Sequence, residues 1–115
     1  MKNVTFIGTG YVGLVSGTGI SDFGHKVTCY DISKEKINAL KKGKIPIYEP
    51  GLTELIKKNT SVGRLSFSSD PENSIKDADV IFIAVGTPMG EDGKADLKYV
   101  ESAARTIGKY LNSYT

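Results

Sequence analysis

Apolar and polar positions change period several times along the chain, and each change marks an element. Residues 2–7 form a β-branched and aromatic run that stops at Gly8, and after the glycines a helix-compatible stretch continues to Phe23 and Gly24. That pattern predicts a strand, a turn and a helix. Gly24 and His25 close the helix, residues 26–30 read as a second strand ending at Asp31, and Ser33 caps a helix to about Lys42 that buries Ile37 and Leu40. Residues 43–49 read as a loop. Pro50 falls where the first position of a helix tolerates proline, and Leu52, Leu55 and Ile56 follow at the spacing of a short, surface-packed helix.

Residues 64–68 alternate apolar with polar, as a half-buried outer strand does, and Asp70 followed by Pro71 predicts a cap and a helix to about Lys76. Residues 80–85 are apolar at every position. A strand covered on both faces reads this way, so the pattern places the most deeply buried strand here. Beyond a glycine-rich stretch, Asp96 opens a last helix whose Leu97, Val100, Ala104, Ile107 and Leu111 share one face. Strands alternating with helices require a parallel sheet with right-handed crossovers. The expected class is therefore α/β, a Rossmann-like doubly wound sheet of about four strands.

Composition narrows the field. The 115 residues suffice for one domain, and 39% hydrophobic with 24% charged residues exclude disorder as the main state. No apolar run approaches a membrane span, and residues 1–3 lead straight into a strand, so a cytoplasmic chain with no membrane partner is expected. Fifteen basic and thirteen acidic side chains are interspersed to a net charge of +2, which argues against nucleic acid as a partner. One cysteine, Cys29, and one histidine, His25, cannot form a disulfide or a structural zinc site, so no metal is expected.

The candidate chemistry lies in the first loop. Gly8, Thr9, Gly10, Tyr11, Val12 and Gly13 match G-x-G-x-x-G after a strand and at the opening of a helix, and Asp31 ends the next strand about twenty residues on. Gly8 permits the sharp turn, Gly10 lets a pyrophosphate approach the backbone, and Gly13 lets the helix pack closely on the strand. The phosphates then meet unpaired N–H groups at the positive helix end. Asp31 can accept from the adenosine ribose hydroxyls and would repel a 2′-phosphate, which selects NAD over NADP. Lys36, about one turn into the next helix, complicates this choice, because its ammonium could reach the same ribose edge or a phosphate, although no arginine follows Asp31 directly. The plainer alternatives are a tight turn for the glycines and a helix-capping or solvated Asp31.

Four segments in register resemble one family: residues 8–14, residues 46–52 (Pro46, Ile47, Tyr48, Glu49, Pro50, Gly51, Leu52), residues 85–88 (Val85, Gly86, Thr87, Pro88) and residues 95–101. Together they resemble the UDP-glucose 6-dehydrogenase family, which also contains GDP-mannose and UDP-N-acetylmannosamine dehydrogenases. Tyr48 is more like the UDP-glucose branch. The resemblance implies an N-terminal NAD domain, here residues 1–115 as its first part, with a dimerisation helix and a nucleotide-sugar domain elsewhere, and a homodimer at full length. It implies that Val12 and its glycine neighbours contact the dinucleotide phosphates, that Asp31 and Lys36 contact the ribose, and that Thr87 lines the cofactor. The chain's own pattern agrees on Thr87, since the carboxyl end of strand 80–85 should open onto the crevice beside the first strand, and Pro88 fixes the exit of the loop. A plain strand-ending turn is the other reading of residues 86–88.

The family reaction is a twofold oxidation of a sugar alcohol to a carboxylate with two NAD, through a cysteine-bound intermediate. The resemblance places that cysteine and its helpers downstream, so no catalytic residue is expected here and the chain alone should be inactive. Cys29, within a strand, reads as an inert small hydrophobe. Glu49 reads as a helix-start residue rather than a catalytic acid, and Tyr11 either packs by the nicotinamide half or covers the helix start. Residues 89–94 suit equally a loop that moves over the cofactor and a solvated connection. A stand-alone NAD-binding or regulatory module, a hydroxyacid dehydrogenase of the 6-phosphogluconate type and a methyltransferase are the rival functions.

Overall fold

The computed structural model describes residues 2–46, 48–85 and 97–111. Nine elements follow in chain order among them: β1 (Asn3–Ile7), α1 (Tyr11–Asp22), β2 (Lys26–Tyr30), α2 (Lys34–Lys41), α3 (Leu52–Ser61), β3 (Leu65–Ser68), α4 (Pro71–Ile75), β4 (Val80–Ile83) and α5 (Lys98–Tyr110). The strands form one sheet in the order β3-β2-β1-β4, and every pair is parallel. Strand order runs outward from β1 to β3 and then returns to place β4 on the other side of β1. The carboxyl ends of β1 and β4 therefore flank a topological switch point, where open α/β sheets bind their ligands.

Alternation along the strands divides the core in two. Val4, Phe6, Val27, Cys29, Leu65 and Phe67 face α1, α2 and α3, where Leu14, Ile37, Leu40, Leu52 and Ile56 meet them. Ile7 and Tyr30 point to the opposite face and pack with Ile75 of α4 and Ala103 of α5. Ser33 caps α2 by accepting from the Lys36 N–H at 3.3 Å, and Asp70 caps α4 by accepting from the N–H groups of Glu72 and Asn73. Each such cap contributes about 1 kcal/mol, which is large for helices this short. Gly24, with φ +109°, ends α1 as expected.

Three expectations need correction. The strand buried on both faces is β1, in which Val4, Thr5, Phe6 and Ile7 are all buried, and not residues 80–85. Among the described residues β4 pairs only with β1, and this edge position leaves Val80, Phe82 and Ile83 at 40%, 44% and 41% exposure. Pro50 does not open α3; Gly51 is the cap, at φ 82°, a left-handed backbone that glycine adopts without strain. In α5 the buried position is Ala103, flanked by half-buried Val100, Ile107 and Tyr110, whereas Leu97, Ala104 and Leu111 are exposed. A small residue at the contact lets α5 approach α4 and the sheet, and that selects the alanine on this face over the larger leucines. Asp96 lies outside the described residues.

Asn59, which apolar patterning passes over, is fully buried and joins α3 to its surroundings. Its amide donates to the Leu55 carbonyl at 2.9 Å and to Asp22 at the end of α1 at 3.2 Å, and its oxygen accepts from Arg64 at 3.0 Å. The Asn59 hydrogen bond, with Lys58 at 3.1 Å, holds the Asp22 carboxyl below its ordinary value.

Candidate functional site

The first loop leaves β1 at Gly8, whose N–H donates to the Tyr30 carbonyl at 2.7 Å and whose φ of +109° is open to glycine. A β-carbon on Gly8 would stand 2.7 Å from the Ala84 carbonyl oxygen at the end of β4, and one on Gly13 would collide with the Gly8 carbonyl. Both glycines are therefore required by the turn itself. Gly10 differs: among the described residues no atom beyond its own stretch of chain lies within 4 Å of the position its β-carbon would take. Packing does not demand glycine there, and the open space is the cradle a phosphate approaching the backbone would fill.

Gly10 is also the cap of α1, and among the described residues no side chain caps the helix end and no acidic residue stands in its first turn. The first N–H groups of a helix have no intrahelical acceptor, so this end presents unpaired donors and a positive dipole. Tyr11 and Val12 stand exposed beside it at 53% and 63%. An anion finds here both room and charge complementarity.

Asp31 follows β2 and faces the same loop. Its Oδ2 accepts from the Thr9 N–H at 3.1 Å and from the Thr9 hydroxyl at 2.8 Å, while Oδ1 accepts from the Ser33 N–H at 2.9 Å. Lys36 lies in the first turn of α2 and, with Thr9, Gly10, Tyr11 and Lys44, lines a cavity of about 330 Å³. A second, mostly apolar cavity of about 220 Å³ opens between the strand ends and α5, lined by Gly8, Asp31, Ile32, Val85 and Tyr99 among others. The two cavities flank the glycine loop, and Thr9, Gly10, Asp31, Lys36 and Val85 are brought together around it. Gly86, Thr87 and Pro88, like residues 89–94, lie outside the described residues.

Several contributors escaped the pattern. Ile32, 81% exposed directly after Asp31, and Tyr99 border the apolar cavity; an isoleucine directly after the strand-ending aspartate is the feature of the sequence that could have pointed to it. Glu49, read as a helix-start residue, accepts from the Tyr11 hydroxyl at 2.9 Å. That hydrogen bond and the Glu49 charge raise the Tyr11 phenol above its ordinary value. Cys29 is buried, and desolvation pushes its thiol up to about 12, which leaves no thiolate for chemistry at neutral pH. Among the described residues no group of His, Cys, Asp and Glu side chains is arranged to hold a metal ion, and no helix is long and apolar enough to cross a membrane.

The arrangement has close counterparts. Over 114 residues the chain is 56% identical to UDP-glucose 6-dehydrogenase TuaD of Bacillus subtilis (strain 168), covering 99% of this chain and 25% of that protein. The structure of a UDP-glucose dehydrogenase from the archaeon Pyrobaculum islandicum superposes with a TM-score of 0.89 at 45% identity, over 94% of this chain and 25% of that one. A ternary complex of GDP-mannose dehydrogenase from Pseudomonas aeruginosa matches with a TM-score of 0.87 at 43% identity, over 91% and 24%. The chain thus spans about a quarter of the length of the curated relatives it matches. The family model for the NAD binding domain of the UDP-glucose/GDP-mannose dehydrogenases matches residues 2–115. With Gly10 left open at the helix end and Asp31 held beside it, the chain belongs to the UDP-glucose/GDP-mannose dehydrogenase family, as its NAD-binding domain.

Proposed function

We propose that the chain is the coenzyme-binding part of a dehydrogenase that oxidises UDP-glucose to UDP-glucuronate with two NAD. The carrying observation is the open space over Gly10 at the uncapped start of α1, with the Asp31 carboxylate oriented beside it. Bound NAD would supply the hydride acceptor. The N–H groups of Tyr11, Val12 and Gly13 hold the pyrophosphate, with Gly8 and Gly10 keeping the backbone accessible. Asp31 and Lys36 hold the adenosine ribose, the first as acceptor and the second as donor. The apolar cavity under Val85 and Ile32 takes the adenine ring, and Gly86, Thr87 and Pro88 are assigned to the cofactor by the family resemblance of their motif.

The nucleophilic cysteine belongs to another part of the protein, together with the nucleotide-sugar site and the dimerisation helix. The whole protein works as a homodimer in the cytoplasm, and residues 1–115 alone turn over no substrate. UDP-glucose is preferred over GDP-mannose and UDP-N-acetylmannosamine because curated relatives that are 56%, 52% and 54% identical to the chain are UDP-glucose 6-dehydrogenases.

The test has two parts. Calorimetric titration with NAD, NADP and S-adenosylmethionine should give binding for NAD alone. Steady-state assay of the full-length protein should then release two NADH per UDP-glucose consumed. NADP preference would remove the role given to Asp31, and turnover of another sugar nucleotide in place of UDP-glucose would remove the substrate.

A further inference from the structure

A ribose-binding carboxylate is useful only if it is held in one orientation, and the structure shows what holds Asp31. Thr9 is the second residue of the glycine loop, yet its side chain turns inward and is only 5% exposed. Its N–H and its hydroxyl both donate to Asp31 Oδ2, at 3.1 and 2.8 Å, and the Ser33 N–H donates to Oδ1 at 2.9 Å. An ionised carboxylate offers about four acceptor positions, of which three are thereby filled. The remaining position is on Oδ1.

We propose that Thr9 is a positioning residue: it ties the first loop to the end of β2, fixes the Asp31 carboxylate, and leaves it one acceptor position for the adenosine ribose. The inference rests on the NAD reading above and deepens it. One ribose hydroxyl donates to Asp31 Oδ1, and the neighbouring hydroxyl accepts instead, from the Lys36 ammonium, because Oδ2 is already filled by Thr9. Thr9 touches no part of the cofactor through its side chain and acts only through Asp31. Recognition of the diol is thus divided between an acidic and a basic residue rather than given to the carboxylate alone.

The experiment is a double-mutant cycle on NAD affinity, read by calorimetry on the full-length protein. Thr9→Val keeps the shape and removes the hydroxyl donor; because hydrogen bonds to charged groups are the stronger kind, NAD binding should weaken by about tenfold. Thr9→Ser, which restores the donor, should bind within about twofold of the parent. In an Asp31→Ala background, Thr9→Val should change NAD affinity no further, an outcome that a merely structural role for Thr9 would not give. Should Thr9→Val fail to fold, as judged by thermal unfolding, Thr9→Ala carries the same comparison. Unchanged affinity in the single variant, or an equal loss with and without Asp31, overturns the assignment. A parent protein that binds no NAD overturns the cofactor reading instead, and this inference with it; a parent that binds NAD beside an indifferent Thr9→Val variant overturns this inference alone.

Discussion

The Tyr11 hydroxyl and Glu49 Oε2 lie 2.9 Å apart, joining the first residue of α1 to the segment before α3 across 38 positions of sequence. The bond straps residues 48–51 beside the cavity that Gly10 and Lys36 line. Glu49 raises the Tyr11 phenol above its ordinary value of 10, first by the hydrogen bond and then by its charge. A group that holds its proton more tightly when folded contributes its stabilisation fully below the unfolded value and loses it as pH rises through the folded one. The strap therefore holds at neutral pH and fails in alkali above pH 10. Tyr11 is exposed and Glu49 only half-buried, so Glu49→Gln should leave the melting temperature nearly unchanged while Tyr11 ionises at lower pH. The phenolate absorbance of the Glu49→Gln variant, with Tyr11→Phe as the blank that identifies the signal, checks this. Superimposable titrations before and after Glu49→Gln would remove the strap.

The glycines of the first loop should separate folding from binding. At Gly10 an added methyl meets nothing within 4 Å among the described residues beyond its own stretch of chain, so Gly10→Ala should lose no more than about 1 kcal/mol, the ordinary difference at a helix cap. NAD affinity should nevertheless fall roughly tenfold or more, because the methyl occupies the phosphate's approach. At Gly13 the methyl meets the Gly8 carbonyl, backbone that cannot swing aside, and Gly13→Ala should cost on the order of 3 kcal/mol or abolish folding. Denaturant melts beside NAD titrations distinguish the two. Equal stability losses in both variants would contradict the division of labour.

How far the chain's own pattern reached follows from which signals are local. The turn glycines, the Asp31 that ends β2 and the caps Ser33 and Asp70 were legible because each depends on backbone within a few residues. The depth of β4 was not, because an all-apolar run reports what a strand can tolerate, while its exposure depends on which neighbours the sheet order provides. The buried face of α5 was misread for a related reason: Val100 and Ile107 belong to two overlapping apolar stripes, and packing against Ile75 selected the one that includes Ala103. The inward turn of Thr9 and the reach of Tyr11 to Glu49 join residues 22 and 38 positions apart, where periodicity carries no information.

Gly17 of α1 faces Cys29 of β2 so closely that a β-carbon would lie 2.9 Å from the sulfur, with Phe6 and Val27 next nearest at 3.4 and 3.5 Å. Overpacking of a filled core costs about 1–3 kcal/mol, and the gain in helix propensity from glycine to alanine returns about 1. Gly17→Ala should thus destabilise by roughly 0–2 kcal/mol. Cys29→Ala removes the clashing atom, so the double variant should be more stable than the sum of the single losses predicts, by about 1 kcal/mol. Strict additivity in chemical denaturation would show that the two do not meet. With burial pushing its thiol up to about 12, Cys29 should also resist a thiol-reactive dye in the native protein and react at once on unfolding.

The two edges of the sheet differ in a way that bears on solubility. Beside β3 the lysines Lys41, Lys42 and Lys57 line the adjoining groove and Ser66 is exposed, which discourages another strand from pairing. At β4, by contrast, Val80, Phe82 and Ile83 are each about two-fifths exposed, and Phe82 is stacked flat on Phe6 with ring centroids 4.9 Å apart. An apolar, uncharged edge is a template for a second chain. The 115-residue chain expressed by itself should therefore associate as its concentration rises, measured by light scattering. Val80→Lys places a charge at the amino end of β4, away from Gly8 and Asp31, and leaves the backbone pairing with β1 intact. It should shift the chain toward monomer. A parent that scatters as a monomer at every concentration, or a Val80→Lys variant that associates just as strongly, would show that the β4 edge is not what brings chains together.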